Sequence, residues 1–180
     1  MAGVERTALA FDRACAKAGV AYAYVGGVAV LAWGQPRATS DVDAIIVAPT
    51  AFGPFVEALA REGLVVDPRD LEDARRDGGH VSIFDDATGF HVDCKMVKSD
   101  LERGEIARAR IVPFEDGRLV VIAPEEAIAF KLKFGSPQDI QDARSILVRQ
   151  AGRLDMARLR ALAETIGVRT ALDALVSETD

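Results

Sequence analysis

The most constraining feature of the sequence is an apolar run with an acidic start. From Val42 to Val47 the chain reads VDAIIV, and Asp41 immediately precedes this run. A nearly continuous apolar stretch of this length is typical of a strand buried in the centre of a sheet. Side chains alternate along a strand, so Asp41 and Asp43 are predicted to point to the same face, with Cα atoms about 7 Å apart. The sequence therefore places two carboxylates together at the start of a buried strand.

The remaining pattern predicts an α/β (α+β) fold with a mixed β-sheet flanked by helices and a small C-terminal helical part. Strands are predicted at 21–25, 42–47, 64–66, 80–85, 90–96, 111–114 and 119–122. Helices are predicted at 4–18, 28–33, 50–60, 99–108, 124–134, 137–150 and 155–166, with a last piece reaching 176. The polar stretch 67–79 is either irregular or a surface helix. We predict a boundary near Ala123 that separates a core, residues 1–123, from a helical part packed on it, residues 124–180.

The bulk composition excludes several classes of protein. Hydrophobic residues make up 49% of the 180 residues, enough for one good core. The net charge of -6 disfavours indiscriminate nucleic-acid binding. Five arginines lie in residues 144–160, where they either contact phosphates or form a solvated helix face. The two cysteines, Cys15 and Cys94, have no metal-type spacing, so neither a zinc site nor a disulfide framework is expected.

The sequence also bears on location. The N-terminal residues include acidic side chains and no apolar core, so they do not form a secretory signal. The uncharged stretch from Ala18 to Pro36 approaches the length of a membrane span. However, Gly26 and Gly27 interrupt it, and Gln35-Pro36 ends it. We predict a cytoplasmic protein that does not bind a membrane.

A third acidic residue, Asp93, lies on a later predicted strand and shares one face with His91 and Lys95. If the strands of Asp43 and Asp93 are neighbours, three carboxylates converge. Two like charges ~4 Å apart repel by about 4 kcal/mol at an effective dielectric constant of ~20. Mg²⁺ would relieve this repulsion, and two such ions can clamp a triphosphate and activate a hydroxyl. In the alternative interpretation, Asp41 caps a turn while Asp43 and Asp93 are simply exposed.

Gly26 and Gly27 form a turn between a predicted strand and a short helix. Glycine permits positive φ and a close approach of backbone N–H groups to an anion. The helix N-terminus adds a partial positive charge that suits phosphate. A glycine turn without any ligand is the alternative. Pro36 cannot continue the helix, so residues 36–40 are predicted to form a loop.

Together these features form the segment YVGGVAVLAWGQPRATSDVDAIIV, which resembles the signature of the polymerase-β-like nucleotidyltransferase superfamily. Its PRATSDVD loop is most similar to the AbiEii-type branch, which includes toxin-antitoxin nucleotidyltransferases. The resemblance covers residues 22–47 closely and residues 90–96 loosely. It implies a Mg²⁺-dependent enzyme, with two ions, that moves a nucleoside monophosphate from a nucleoside triphosphate to a hydroxyl acceptor.

The resemblance also implies roles for individual residues. Asp41 and Asp43 would bind both metal ions. Asp93 would complete the second metal site and deprotonate the acceptor hydroxyl. Gly26 and Gly27 would cradle the β- and γ-phosphates.

Three further residues are implied near the triphosphate. Arg37 and Thr39 would shape the loop or contact phosphate, for which the forked donors of arginine are suited. Lys131 matches a helix lysine that lies near the triphosphate in the superfamily, and Lys133 competes for this role. Alternatively, either lysine lies on the plain surface.

The chain departs from the pattern of the superfamily in three ways. Gly27 replaces the serine of other members. Gln138 stands where the branch usually has a basic residue, although Asp139 and Asp142 are in place. The chain is also short for an AbiEii-type toxin.

The acceptor and partners stay open at this stage. The acceptor could be RNA such as a tRNA end, a protein side chain, or a small hydroxylated molecule such as an antibiotic. A non-catalytic, NTP-binding or antitoxin-like regulatory module is the alternative function. A cognate partner protein is compatible with both functions. His91 either lines the pocket or is solvated, and Trp33 either packs in the core or stacks on a base.

Overall fold

A computed structural model describes residues 3–39 and 41–179. Its helices are α1 (Gly3–Ala18), α2 (Gly26–Trp33), α3 (Gly53–Arg61), α4 (Pro68–Asp77), α5 (Asp100–Ala107), α6 (Pro124–Phe134), α7 (Pro137–Arg149), α8 (Met156–Ile166) and α9 (Arg169–Ser177). Its strands are β1 (Tyr22–Tyr24), β2 (Val42–Ile46), β3 (Leu64–Val65), β4 (His80–Asp85), β5 (His91–Met96), β6 (Arg110–Phe114) and β7 (Gly117–Val121). The predicted mixed α/β fold is confirmed.

The strands form one mixed sheet in the order β3-β4-β5-β2-β1-β7-β6. The apolar strand β2 lies at its centre, as its sequence predicts, because both of its faces are covered. It pairs parallel with β5 and antiparallel with β1, and β1 pairs parallel with β7. The predicted hairpin is also present, since β4 pairs antiparallel with β5.

The two faces of the sheet differ in chemistry. Tyr24 is in register with Ala44, so these residues share a face, and Tyr24 packs against Phe11 of α1. Phe11 in turn contacts Phe55 of α3. This face is the aromatic side of the core. The opposite face carries Asp43 and is flanked by α2, α5 and α6, which leave the space for a site.

The C-terminal helices α6 and α7 pack against α2. Pro124 opens α6 at a position where its missing N–H is not needed, as predicted, and Gly135 ends the helix in the left-handed conformation. The indole N–H of Trp33 donates to the carbonyl of Ile122 at 2.7 Å, and Gln150 Nε2 donates to the carbonyl of Trp33 at 2.9 Å. One hydrophobic cluster includes buried residues from both sides of Ala123. The boundary at Ala123 itself stays a prediction.

The structure decides one open prediction and corrects another. Of the two interpretations of the stretch 67–79, the surface helix is confirmed: it is α4, which Asp67 caps by accepting from the backbone N–H of Arg69 at 2.8 Å. Helix α2 begins at Gly26, two residues before its predicted start. The loop is irregular over residues 36–39, and Ser40 lies outside the described residues. Within the described chain, no helix has both the length and the apolar character needed to cross a bilayer.

Candidate active site

The parallel pairing of β2 with β5 sets Asp43 directly beside Asp93. Residues paired in this way project to the same face of a sheet. Burial raises the pKa of Asp43, and the charges of Asp41 and Asp93 raise it further. The expected adjacency of these two strands is therefore confirmed, and Asp41 lies near enough to act on Asp43 electrostatically.

Asp93 is held in place by two neighbours on the same face. Ser82 of β4 is in register with Asp93, and its hydroxyl donates to Oδ1 at 2.6 Å. His91 Nε2 lies 3.4 Å from Oδ2. His91 thus contacts Asp93, but it is not among the residues that line the candidate cavity, and its side chain is 38% exposed. Sequence reasoning missed Ser82, because the residues around Ser82 do not reveal the hairpin register that aligns it with Asp93.

The carboxylates fit a hard divalent cation by their chemistry. Asp43 and Asp93 supply paired oxygen ligands, and the repulsion that raises the pKa of Asp43 is the kind that a cation removes. In residues 3–39 and 41–179, no group of three or more His, Cys, Asp or Glu side chains is arranged to hold a metal ion. The described side chains thus provide oxygen ligands for a cation but do not complete its coordination.

Gly26 allows the start of α2 to approach Asp43. Its φ is +55°, and a Cβ added there would overlap the carboxylate of Asp43. Gly27 likewise lies against Thr39, because an added Cβ would be 2.5 Å from Thr39 Oγ1. Both glycines therefore have a steric role, because a side chain at either position would overlap a neighbouring side chain.

We expect Gly26→Ala to destabilise the protein and to displace Asp43. The left-handed backbone alone costs a non-glycine residue about 1–2 kcal/mol. Gly89→Ala is the matched control, because Gly89 has φ +75° with no atom within 4 Å of the added Cβ. Urea unfolding of both variants should show the larger loss for Gly26→Ala. Equal losses of stability in the two variants would mean that the overlap between the added Cβ and Asp43 costs no free energy.

Arg37 is tied to the helical part of the chain. Its Nε and Nη2 donate to the two oxygens of Asp142 at 3.0 and 2.9 Å. Of its two implied roles, shaping the loop agrees with this geometry, because the forked donors are occupied by a carboxylate. Thr39 Oγ1 lies 3.2 Å from the carbonyl oxygen of Asp41, so it also organises this loop.

Lys131 is not a plain surface lysine. Its side chain is 13% exposed, and its Nζ lies 2.8 Å from Asp139 and 2.9 Å from Asp142. Burial lowers its pKa, but these hydrogen bonds raise the pKa overall, so Lys131 stays protonated. The competing Lys133 donates to the carbonyl of Ile166 at 3.1 Å, toward the helical part.

A cavity of about 270 Å³ brings part of this set together, whereas Arg37 and Thr39 line a different cavity. Asp43, Asp93 and Lys131 all line it, and the sheet forms its floor at Ile45. The other walls come from α5 and α6. A larger cavity of about 530 Å³ lies between α1, α2 and β6–β7 and contains none of the three aspartates. We take the smaller cavity as the candidate site because the carboxylates and the lysine converge there.

Glu105 of α5 also lines this cavity and was missed by sequence reasoning. It is 4% exposed, and its Oε1 has no hydrogen-bond partner among the described residues. Burial raises its pKa to about 7, with further contributions from Glu102 and Glu126. A glutamate in a polar helix gives no local signal of such burial.

We expect Glu105→Gln to stabilise the protein above neutral pH. Because the pKa of Glu105 is raised from 4.5 to about 7 in the folded state, the folded protein loses stability as pH rises between these values. At 1.36 kcal/mol per pKa unit, the loss is up to about 3 kcal/mol. In thermal melts at pH 5 and pH 8, the Tm of the variant relative to that of the wild type should be higher at pH 8. A constant difference would contradict the raised pKa.

The fold is similar to that of solved structures, among them a nucleotidyltransferase-like protein. No protein-family model matches the sequence, and no curated protein is significantly similar to it. Solved structures, however, share the arrangement of its helices and strands. At 16% sequence identity these likenesses establish the fold.

Three of these structures illustrate the likeness. The solution structure of the antibiotic-resistance factor ANT(2'')-Ia has a TM-score of 0.59 at 16% identity and covers 100% of both chains. The crystal structure of ANT(2'')-Ia with adenylyl-2''-tobramycin has a TM-score of 0.57 at 16% identity, over 89% of this chain and 94% of the other. An antigenic nucleotidyltransferase-like protein from Paracoccidioides brasiliensis has a TM-score of 0.51 at 16% identity, over 98% and 94%.

Proposed function

We propose that the protein is a metal-dependent nucleotidyltransferase that moves a nucleoside monophosphate from a nucleoside triphosphate to a hydroxyl acceptor and releases pyrophosphate. The observation that carries this proposal is the in-register pairing of Asp43 with Asp93 inside a fold shared with nucleotidyltransferases. The cavity that these carboxylates line also contains the cation of Lys131, which suits a polyanionic substrate.

Asp41, Asp43 and Asp93 would hold the Mg²⁺ ions. When bound, the ions supply positive charge that neutralises the triphosphate and lowers the pKa of the acceptor hydroxyl. Asp93, oriented by Ser82 and His91, accepts the proton of that hydroxyl. The hydroxyl oxygen forms the new bond to the α-phosphorus, and the bond from that phosphorus to the bridging oxygen breaks with release of pyrophosphate.

The start of α2 and Lys131 would bind the leaving phosphates. Backbone N–H groups at a helix N-terminus favour anions, and Gly26 keeps this terminus close to Asp43. Lys131 adds a fixed positive charge, since Asp139 and Asp142 hold it protonated and in place. Arg37 and Thr39 position the loop that carries Asp41.

Among the acceptors we favour a small hydroxylated molecule over RNA. Arg144, Arg149 and Arg158 of the basic stretch bind Glu178, the carbonyl of Gly34, and Glu126 within the chain. Three of the five arginines of this stretch are thus engaged within the chain, which leaves fewer of them for a phosphate backbone. The net charge of -6 also suits a cationic acceptor, and ANT(2'')-Ia, which has the same fold, is known in complex with adenylyl-2''-tobramycin. We place the reaction in the cytoplasm, where nucleoside triphosphates are available.

The test uses nucleoside triphosphates labelled at the α- or γ-phosphate, with Mg²⁺ and three acceptors: an aminoglycoside, tRNA and a protein. We expect α-label to reach the aminoglycoside, with γ-label recovered in pyrophosphate. Transfer of γ-label alone would show a phosphotransferase and contradict the proposal. Mg²⁺-dependent nucleotide binding without any transfer would indicate the alternative, a regulatory module of the antitoxin type with a cognate partner protein.

A further inference from the structure

Glu105 lines the candidate cavity and has no role in the proposed reaction. Its carboxyl group is buried in the wall formed by α5, and its Oε1 has no partner within the described chain. A buried carboxyl group without a hydrogen bond is unfavourable, so a structure that keeps one aimed into a cavity indicates a ligand that supplies the missing donor.

The nearby cations do not supply that donor. Lys95, which also lines the cavity, is bound to Glu102 of the same helix. Arg108 donates through Nε to Glu126 at 3.1 Å. The two cations whose charges act on Glu105, Lys95 and Arg108, therefore donate to other carboxylates. The hydrogen-bond donor for Glu105 must therefore come from a bound molecule.

The walls around Glu105 identify the kind of molecule. Apart from the carboxylates and lysines, the cavity is lined mainly by apolar side chains: Ile45, Ile122, Ala127, Phe130 and Phe134. Phe134 is 75% exposed and so lies at the open side, whereas Glu105 is buried. Apolar walls beside a buried acceptor such as Glu105 suit a flat ring that carries a donor at its edge. A polycationic acceptor would gain little from such apolar walls.

We propose that Glu105 recognises the nucleobase of the nucleoside triphosphate by accepting a hydrogen bond from its amino group. This inference rests on the proposed function, because it assumes that the triphosphate is bound beside Asp43 in the same cavity. It makes the site selective for a base that carries an amino group, as adenine, guanine and cytosine do and uracil does not. The raised pKa of Glu105 agrees with a carboxyl group that is shielded from water and can make such a contact.

The experiment measures the binding of nucleotides in pairs that differ at the amino group. The pairs are ATP and purine riboside triphosphate, GTP and ITP, and CTP and UTP, each titrated calorimetrically into the full chain with Mg²⁺. We expect the best-bound nucleotide to bind at least about tenfold more tightly than its partner without the amino group. Glu105→Leu should reduce this ratio to about one, while Glu105→Gln, which keeps one acceptor oxygen, should retain part of it.

Two controls separate base recognition from general damage. Inorganic tripolyphosphate with Mg²⁺ should bind equally to wild type and both variants. Glu5→Gln changes another glutamate with an unpartnered oxygen, one that lines the other cavity, and should leave the ratio unchanged. Should the leucine variant fail to fold, Glu105→Met offers a flexible apolar side chain of similar length for the same measurement.

The outcomes distinguish this inference from the proposed function. If no nucleotide binds to the wild type, both are overturned. If nucleotides bind but the wild type does not discriminate within any pair, or the apolar variant discriminates equally well, only the role of Glu105 is overturned. A variant that loses affinity for the acceptor, with its nucleotide ratio intact, would assign Glu105 to the acceptor and overturn the inference as well.

Discussion

Asp43→Asn is expected to abolish nucleotidyl transfer. The change keeps the shape of the side chain but removes one negative charge from the pair formed by Asp43 and Asp93. A bound metal ion stabilises the transition state by several kcal/mol, and binding that ion requires this charge. We therefore expect kcat to fall by at least about a thousandfold. Stabilisation by Mg²⁺ and ATP together, measured as a shift in Tm, should disappear with it.

The same variant should fold at least as stably as the wild type. Burial and the charges of Asp41 and Asp93 raise the pKa of Asp43. A raised pKa means that ionisation of this carboxyl group works against folding, so its contribution to stability falls as pH rises through the folded pKa. Asparagine removes that penalty at neutral pH. Lost transfer together with an equal or higher Tm therefore separates a role in the reaction from a role in the fold.

Asp86→Asn is the matched control for this prediction. Asp86 is an exposed carboxylate in the turn between β4 and β5, away from the cavity. Its replacement should change neither transfer nor the ligand-induced shift. Measurable transfer by Asp43→Asn at more than a few per cent of the wild-type rate would contradict the role of Asp43.

Asp142→Ala is expected to produce the largest loss of stability. The side chain of Asp142 is 3% exposed and accepts hydrogen bonds from Arg37, Gln138 and Lys131. Removing one member of a buried ion pair typically costs about 3–5 kcal/mol. We expect a loss of about 3 kcal/mol, because Lys131 keeps its bond to Asp139 and the side chain of Arg37 is 35% exposed. The loop that carries Thr39 and Asp41 also loses its anchor, so transfer should fall together with stability.

The loss should depend on pH in a defined direction. Burial alone would raise the pKa of Asp142, but hydrogen bonds from Arg37, Lys131 and Gln138 lower it to about 2. A lowered pKa contributes stability above the unfolded value of 3.8, and this contribution is lost as pH falls toward 2. The difference between wild type and Asp142→Ala in urea unfolding should therefore shrink below about pH 4.

Asp173→Ala is the comparison for this experiment. Asp173 pairs with Arg169 on an exposed helix face, with its side chain 54% exposed. Such a pair contributes about 0.3–0.5 kcal/mol. A loss from Asp142→Ala no larger than this would show that the network around Arg37 is not needed for folding.

The sequence predicted most of the fold because its patterns are local. The apolar run of β2 and the hairpin of β4 and β5 are legible from adjacent residues, and both were placed correctly. Helix α4 was left open, because its sequence is polar and its stability depends on the cap at Asp67 and on two buried residues. The start of α2 was placed late, since Gly26 and Gly27 are poor helix formers in isolation.

The candidate site was predictable only where a motif or an alternation of residues marks it. The face of Asp93 followed from the alternation along its strand, but its pairing with Asp43 joins strands far apart in sequence. Arg37 and Asp142 are 105 positions apart, so nothing local indicates that the two meet. Glu105 lies in a helix of mostly polar residues, and only the packing of α5 against the sheet shows that it is buried.

The position of Trp33 gives the molecule a built-in optical reporter. It is the only tryptophan of the chain, and its indole N–H donates to the carbonyl of Ile122, two residues before α6 begins, while Gln150 of the helical part donates to the carbonyl of Trp33. Its fluorescence emission should therefore shift toward the red whenever the C-terminal helices separate from α2. Undocking of the part that carries Lys131 can then be followed in the unlabelled protein.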